Sequence, residues 1–188
     1  RTSEGRILLK NTAGDAKSRS PAGCGRIRIS SDWGWGWGWG WGRDLTVKDN
    51  IDLALQNSSY SRAAIRNRRE QLINEFNLNN FVDNYGYQLS GGERRRCEIA
   101  RALTVGRKGP KYLLLDEPFA GIDPLAVNDL KKLILKLSSD GVGILITDHN
   151  VRETLLITDK SYVLSEGKIL ANGSSSELAD NPIVKKYY

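Results

Sequence analysis

Apolar positions along this chain repeat at two periods, and each period predicts a different kind of element. Ile65, Leu72, Ile73 and Phe76 share one face at helical spacing while Arg66, Arg68, Glu70 and Asn74 fall elsewhere, which predicts an amphipathic helix over 62–78. Thr46 and Asp49 have the spacing of a capping box and open a predicted helix over 47–55. Cys97, Ala100, Leu103 and Thr104 recur at threes and fours, so 92–105 is predicted as a helix with Ser90 and Gly91 at its entrance and 106–110 as its end. Asp123 before Pro124 reads as an N-cap with the favoured first-turn proline. Leu130, Leu133, Ile134 and Leu137 give that helix its core face, and Gly141 closes it.

Short apolar runs at 5–9, 112–115 and 142–146 have strand length. A short helix is predicted over 151–157. Residues 161–164 and 168–171 flank Ser165-Glu166-Gly167 as the arms of a hairpin, and Ser174 with Glu177 makes a capping box for a closing helix. Strands alternating with helices predict an α/β layer structure with a largely parallel sheet.

Two N-terminal stretches fit neither period. Residues 11–32 are rich in Ser, Gly, Ala and Arg and read as loop. From Trp33 to Gly42 the chain alternates Trp and Gly and carries all five of its tryptophans. At strand period their indoles would share one face, a large apolar patch. Either the tract is a docking hook for an Argonaute-like partner or it is a low-complexity artefact, and the latter reading is favoured.

At 188 residues the chain has the length of one domain. Lys and Arg number 28 against 22 Asp and Glu, a net charge of +6. The cations are spread among Arg66, Arg68, Arg69, Arg94, Arg95, Arg96, Lys131 and Lys132, which points to solvated faces and away from a nucleic-acid groove. Cys24 and Cys97 form neither a disulfide framework nor a metal spacing, as in a reduced compartment. No apolar run reaches the roughly 20 residues of a membrane span, and no signal-peptide pattern occurs. The chain opens on Arg1 and contains no methionine, so it is read as a fragment whose gene product starts upstream.

The chemistry gathers in three places. Leu89-Ser90-Gly91-Gly92-Glu93 puts a serine and two glycines at a helix mouth, where backbone N–H groups and the helix dipole favour a phosphate. The run at 112–115 stops on Asp116-Glu117, as expected of a buried parallel strand delivering acids to its carboxyl end. The run at 142–146 leads into Thr147-Asp148-His149, which holds the single histidine of the chain. Together these read as a phosphate-and-metal site.

Leu89-Ser90-Gly91-Gly92-Glu93-Arg94-Arg95-Arg96, Leu114-Leu115-Asp116-Glu117-Pro118, Ala120-Gly121-Ile122-Asp123 and Ile146-Thr147-Asp148-His149 resemble, in order and spacing, the signature, Walker B, D-loop and switch-histidine motifs of ABC-transporter ATP-binding subunits. The resemblance covers 43–188 with an extension at 4–10. It implies an ABC-type nucleotide-binding domain of α/β class with a helical subdomain, truncated at its N-terminus. Residues 1–42 would be a remnant, 47–105 the helical subdomain facing a membrane protein, and 106–188 the core and C-terminal part.

The resemblance also implies roles. Asp116 would serve Mg²⁺ through water and Glu117 would act as general base. His149 would contact the γ-phosphate of ATP, Ser90, Gly91, Gly92 and Glu93 would form the signature that touches nucleotide on the opposite subunit, and Asp123 would be the D-loop acid. The implied assembly is a homodimer beneath two transmembrane permease subunits at the cytoplasmic face of the inner membrane. Within the family, Thr147-Asp148-His149-Asn150-Val151-Arg152-Glu153 and the ending Asn181-Pro182-Ile183-Val184 look most similar to the lipopolysaccharide-export branch, with branched-chain amino-acid importers as the alternative. A non-enzymatic Trp-Gly docking protein is the alternative of a different class.

Three departures stand out. Glu93 replaces the glutamine common in the signature, no Gly-x-x-x-x-Gly-Lys-Ser/Thr occurs, and Trp-Gly repeats occupy the place of the glutamine that usually precedes Arg43. The 188 residues alone are therefore expected not to bind ATP tightly or to turn it over.

Overall fold

The computed structural model describes residues 42–56, 60–105 and 109–185 in full, and 6–9 and 28–29 as backbone. The Trp-Gly tract up to Trp41, Cys24 and most of the predicted loop over 11–32 lie outside the described residues. These fall into two compact units, one of 42–56, 60–105, 109–110 and 122–130, the other of 6–9, 28–29, 111–121 and 131–185.

The first unit is helical. Helix α1 (Val47–Gln56) starts as its spacing predicts: Thr46 Oγ1 accepts from the Asp49 amide at 3.1 Å and donates to Asp49 Oδ2 at 2.6 Å. Buried Asn50 folds the entry segment onto this helix, its Nδ2 donating to the carbonyls of Gly42, Leu45 and Thr46 while its Oδ1 accepts from the Gly42 amide. Helix α2 (Arg62–Glu75) is capped by Ser61, whose Oγ accepts from Ala64 N. It ends three residues short of Leu78 because Asn77 turns left-handed at φ 51° and the Leu78 amide donates back to Ile73 O, a Schellman closure that asparagine tolerates. Helix α3 (Gly91–Ala102) buries Cys97, Ile99 and Ala100, and Val47, Ile51, Leu55, Leu72, Phe76 and Leu78 are also fully buried.

In α3, burial pushes the Cys97 thiol up to about 12, against the smaller opposing pull of Arg101. Burial likewise lowers Arg101 from the usual guanidinium value.

The second unit is a six-stranded sheet of order β2-β3-β4-β1-β5-β6, formed by β1 (Arg6–Leu9), β2 (Arg28–Ile29), β3 (Tyr112–Asp116), β4 (Gly143–Asp148), β5 (Lys160–Ser165) and β6 (Lys168–Ser174). Parallel pairing is confined to β2, β3 and β4; β1 is antiparallel to both β4 and β5, and β5 to β6. The sheet is thus mixed where the alternation of elements predicts a largely parallel one. One cause is visible in the sequence: β5 and β6 meet through Glu166 (φ 50°) and Gly167 (φ 77°), a two-residue turn of the kind that forces antiparallel arms. Strand β2 lies within the stretch expected to be loop, a run too short to register as a period, and pairs Arg28 with Leu114 and Ile29 with Leu115.

Helix α4 (Pro124–Ser139) follows Asp123 as predicted; Ile134 and Leu137 are buried in its later turns. Leu113, Leu115, Ile144, Ile146 and Val163 are buried along the strands. The short helices α5 (Val151–Leu155), α6 (Ser175–Ala179) and α7 (Pro182–Lys185) complete the unit. The predicted capping box of α6 forms: Ser174 Oγ accepts from Glu177 N while the Glu177 carboxyl accepts from Ser174 N, and that backbone bond holds the carboxyl below its ordinary range.

Candidate active site

In the sheet unit, β3 and β4 run parallel and in register, with Asp116 opposite Thr147, so both strands deliver their polar ends to the same edge. The Thr147 hydroxyl donates to Asp116 Oδ1. The Glu117 amide donates to Thr147 O at 2.6 Å, extending the ladder one residue past the strand. At Glu117 the backbone turns left-handed, φ 48°, a conformation costly to any residue that carries a Cβ and one that clusters at functional sites. The Ala120 amide then closes a turn on Glu117 O.

His149 stands one residue beyond β4, more than half exposed, its Nδ1 3.9 Å from Glu117 Oε1 and 3.8 Å from Asp148 Oδ1. Both distances exceed a hydrogen bond, so the imidazole and the Glu117 carboxyl share a space without being bonded to each other. The adjacent acids Asp116 and Glu117 and the distant His149 are thus brought to one end of the sheet.

In the helical unit, Ser90 is the N-cap of α3. Its Oγ accepts from the Glu93 amide at 3.4 Å and its own amide donates to Glu93 Oε2 at 2.8 Å. The Glu93 carboxyl therefore holds the helix start, which is the local reason an acid works at this position. Ser90 and Gly91 are exposed, at a turn whose first N–H groups have no partner within the helix. Gly92 is buried and packs against Ala126. Asp123 caps α4, its Oδ1 accepting from Ala126 N at 2.9 Å.

Two groups of this geometry carry no role in the sequence reading. Asp148 is buried and accepts from the Phe119 amide at 3.1 Å and the Asn150 amide at 2.8 Å. Thr147 serves Asp116 and Glu117 together. The available signal was an acid two residues past the apolar run over 142–146, which the neighbouring histidine overshadowed.

The donors at Asp116 and Glu117 are hard oxygens, suited to Mg²⁺, which needs only one or two protein carboxylates beside water and phosphate oxygens. Among the described residues no three metal-ligating side chains stand together.

Residues 40–120 match the ABC transporter family. Over 146 residues the chain is 47% identical to the lipopolysaccharide export system ATP-binding protein LptB of Acidithiobacillus ferridurans, covering 78% of this chain and 59% of that protein. Residues 40–120 carry the ABC transporter domain. Solved members share its fold: cbiO1 from Clostridium perfringens, part of the ABC transporter complex cbiONQ, is 28% identical with a TM-score of 0.66 over 76% of this chain and 57% of that one. An ATP-binding cassette of an ABC transporter in its ADP conformation is 26% identical with a TM-score of 0.64, over 78% of this chain and 63% of that one. The chain spans less than two thirds of each of these relatives. Among its described residues no helix is long and apolar enough to cross a membrane.

Proposed function

We infer that this ABC chain is part of an ATP-binding subunit that hydrolyses ATP to drive lipopolysaccharide export. The observation that carries the reading is the meeting of Asp116, Glu117 and His149 at the ends of β3 and β4, the groups that phosphoanhydride hydrolysis requires. Glu117 orients and deprotonates the attacking water, with its backbone turned so that its carboxyl and the His149 ring address the same space. His149 donates to the terminal phosphate. Asp116, oriented by Thr147, would hold Mg²⁺, and the ion would supply charge neutralisation on the phosphates. The exposed N–H groups at the start of α3, beside Ser90 and Gly91, serve nucleotide on the opposite subunit of a homodimer, with Asp123 at the same junction.

Turnover draws on a glycine-rich Lys-Ser/Thr loop that these 188 residues do not contain, so the activity belongs to an assembly that supplies one. Likeness to a lipopolysaccharide export protein supports lipopolysaccharide as cargo and two permease subunits as the membrane partners, with the ATPase at the cytoplasmic face. The test is co-purification of the full-length protein with a lipopolysaccharide-export permease pair, followed by phosphate release. ATP turnover that depends on the pair and responds to lipopolysaccharide is expected. Association with a branched-chain amino-acid permease pair in its place would overturn the cargo assignment.

A further inference from the structure

The ends of β3 and β4 are joined by more than their ladder. Thr147 uses both its polar groups on the β3 side, the hydroxyl on Asp116 Oδ1 and the carbonyl on the Glu117 amide at 2.6 Å. Asp148, next in the chain, is 1% exposed and uses both carboxyl oxygens on backbone: Oδ2 on Phe119 N at 3.1 Å and Oδ1 on Asn150 N at 2.8 Å. Phe119 is two residues past Glu117 and Asn150 is one past His149. A single buried carboxyl therefore bridges the loop that carries one reacting group and the segment that carries the other.

We propose that Thr147 and Asp148 act as one positioning clamp for hydrolysis, fixing the Asp116 and Glu117 carboxyls and the His149 ring relative to each other; this rests on the catalytic reading of Glu117 and His149. The chemistry of the two residues is specific. Each of the two N–H groups has its own carboxyl oxygen, an arrangement that an amide, with one oxygen and one NH₂, does not reproduce. Asp148 makes the bond to Phe119 across a sequence gap of 29 residues, so it also restrains the turn in which Glu117 holds its left-handed φ of 48°. Thr147 supplies the hydroxyl that donates to Asp116 Oδ1. Neither residue touches the reacting atoms; each acts through a neighbour.

The test is steady-state hydrolysis by the full-length protein, wild type against Asp148→Asn, Thr147→Val and Thr147→Ser, each assayed below its own melting transition. Asp148→Asn turns an NH₂ toward a backbone N–H, and kcat is expected to fall about 100-fold with KM for ATP unchanged, since a small misplacement of reacting groups acts on the transition state. Thr147→Val is expected to lower kcat in the same sense, and Thr147→Ser, which restores the hydroxyl, to recover it. A role in folding alone would lower the melting temperature and leave kcat per folded molecule intact, which overturns the clamp. If Asp148→Asn does not fold, the Thr147 pair decides: equal kcat in Val and Ser overturns the proposal, loss in Val with recovery in Ser supports it. Glu117→Gln is run beside them. Loss there with wild-type kcat in the clamp variants overturns the clamp alone, whereas full turnover in Glu117→Gln overturns the catalytic reading and the clamp with it.

Discussion

Gly92 of α3 lies so close to Ala126 of α4 that a Cβ on the glycine would stand 2.6 Å from the alanine Cβ, inside any real carbon–carbon contact. Gly92 is therefore a packing residue. Gly92→Ala is expected to destabilise the protein by about 1–3 kcal/mol through overpacking, and pairing it with Ala126→Gly to recover most of that. Denaturant midpoints for the two variants check this. A neutral single substitution would contradict the close approach.

Ser90 and Glu93 hold the start of α3 reciprocally. Ser90→Ala is expected to lower stability by about 1 kcal/mol, the usual loss on removing a serine cap. Glu93→Gln keeps an acceptor for the Ser90 amide and is expected to fall within about 0.5 kcal/mol of wild type, as a surface change does. Thermal melting in parallel separates them, and equal loss in both would contradict the capping account.

Glu117 pays for its orientation with backbone strain. Glu117→Gly removes the left-handed penalty and is expected to raise stability by about 0.5–1 kcal/mol while abolishing turnover. Calorimetry of this variant against Glu117→Ala distinguishes relief of strain from loss of the side chain. Destabilisation by glycine relative to alanine would show that the left-handed φ is not held in solution.

The Cys97 thiol, pushed up to about 12 by burial, is expected to resist alkylation in the folded protein and to react only on unfolding. A raised value in the folded state means the unfolded thiol ionises first, so this group's stabilisation is complete below the ordinary value of 9.0 and is lost as pH climbs from there toward 12. Unfolding free energies measured between neutral and strongly alkaline pH, wild type against Cys97→Ala in a Cys24→Ser background, check the sign. A wild type that gains stability over the variant on alkalinisation would contradict it.

How much of this was legible depended on whether a feature is local. The starts of α1, α3, α4 and α6 could be read because Thr46, Ser90, Asp123 and Ser174 act on residues within a turn of themselves. The apolar runs ending at Asp116 and before Thr147 likewise gave two strands and their acids. Left-handed Asn77, which stops α2 early, follows from a backbone closure that no side-chain pattern records. The antiparallel placing of β1 beside β4, the contact of Gly92 with Ala126 and the bond from Phe119 to Asp148 join residues distant in sequence, and periodicity carries no such information.

The most direct measurement is phosphate release by Glu117→Gln in the full-length protein, with ATP binding followed in the same samples. Glutamine keeps the size of the side chain and one acceptor oxygen but cannot take a proton from water. Turnover lost with binding retained is the result expected of a general base at the end of β3. Turnover equal to wild type would contradict the assignment of Glu117 and with it the reading of this sheet edge as a hydrolytic site.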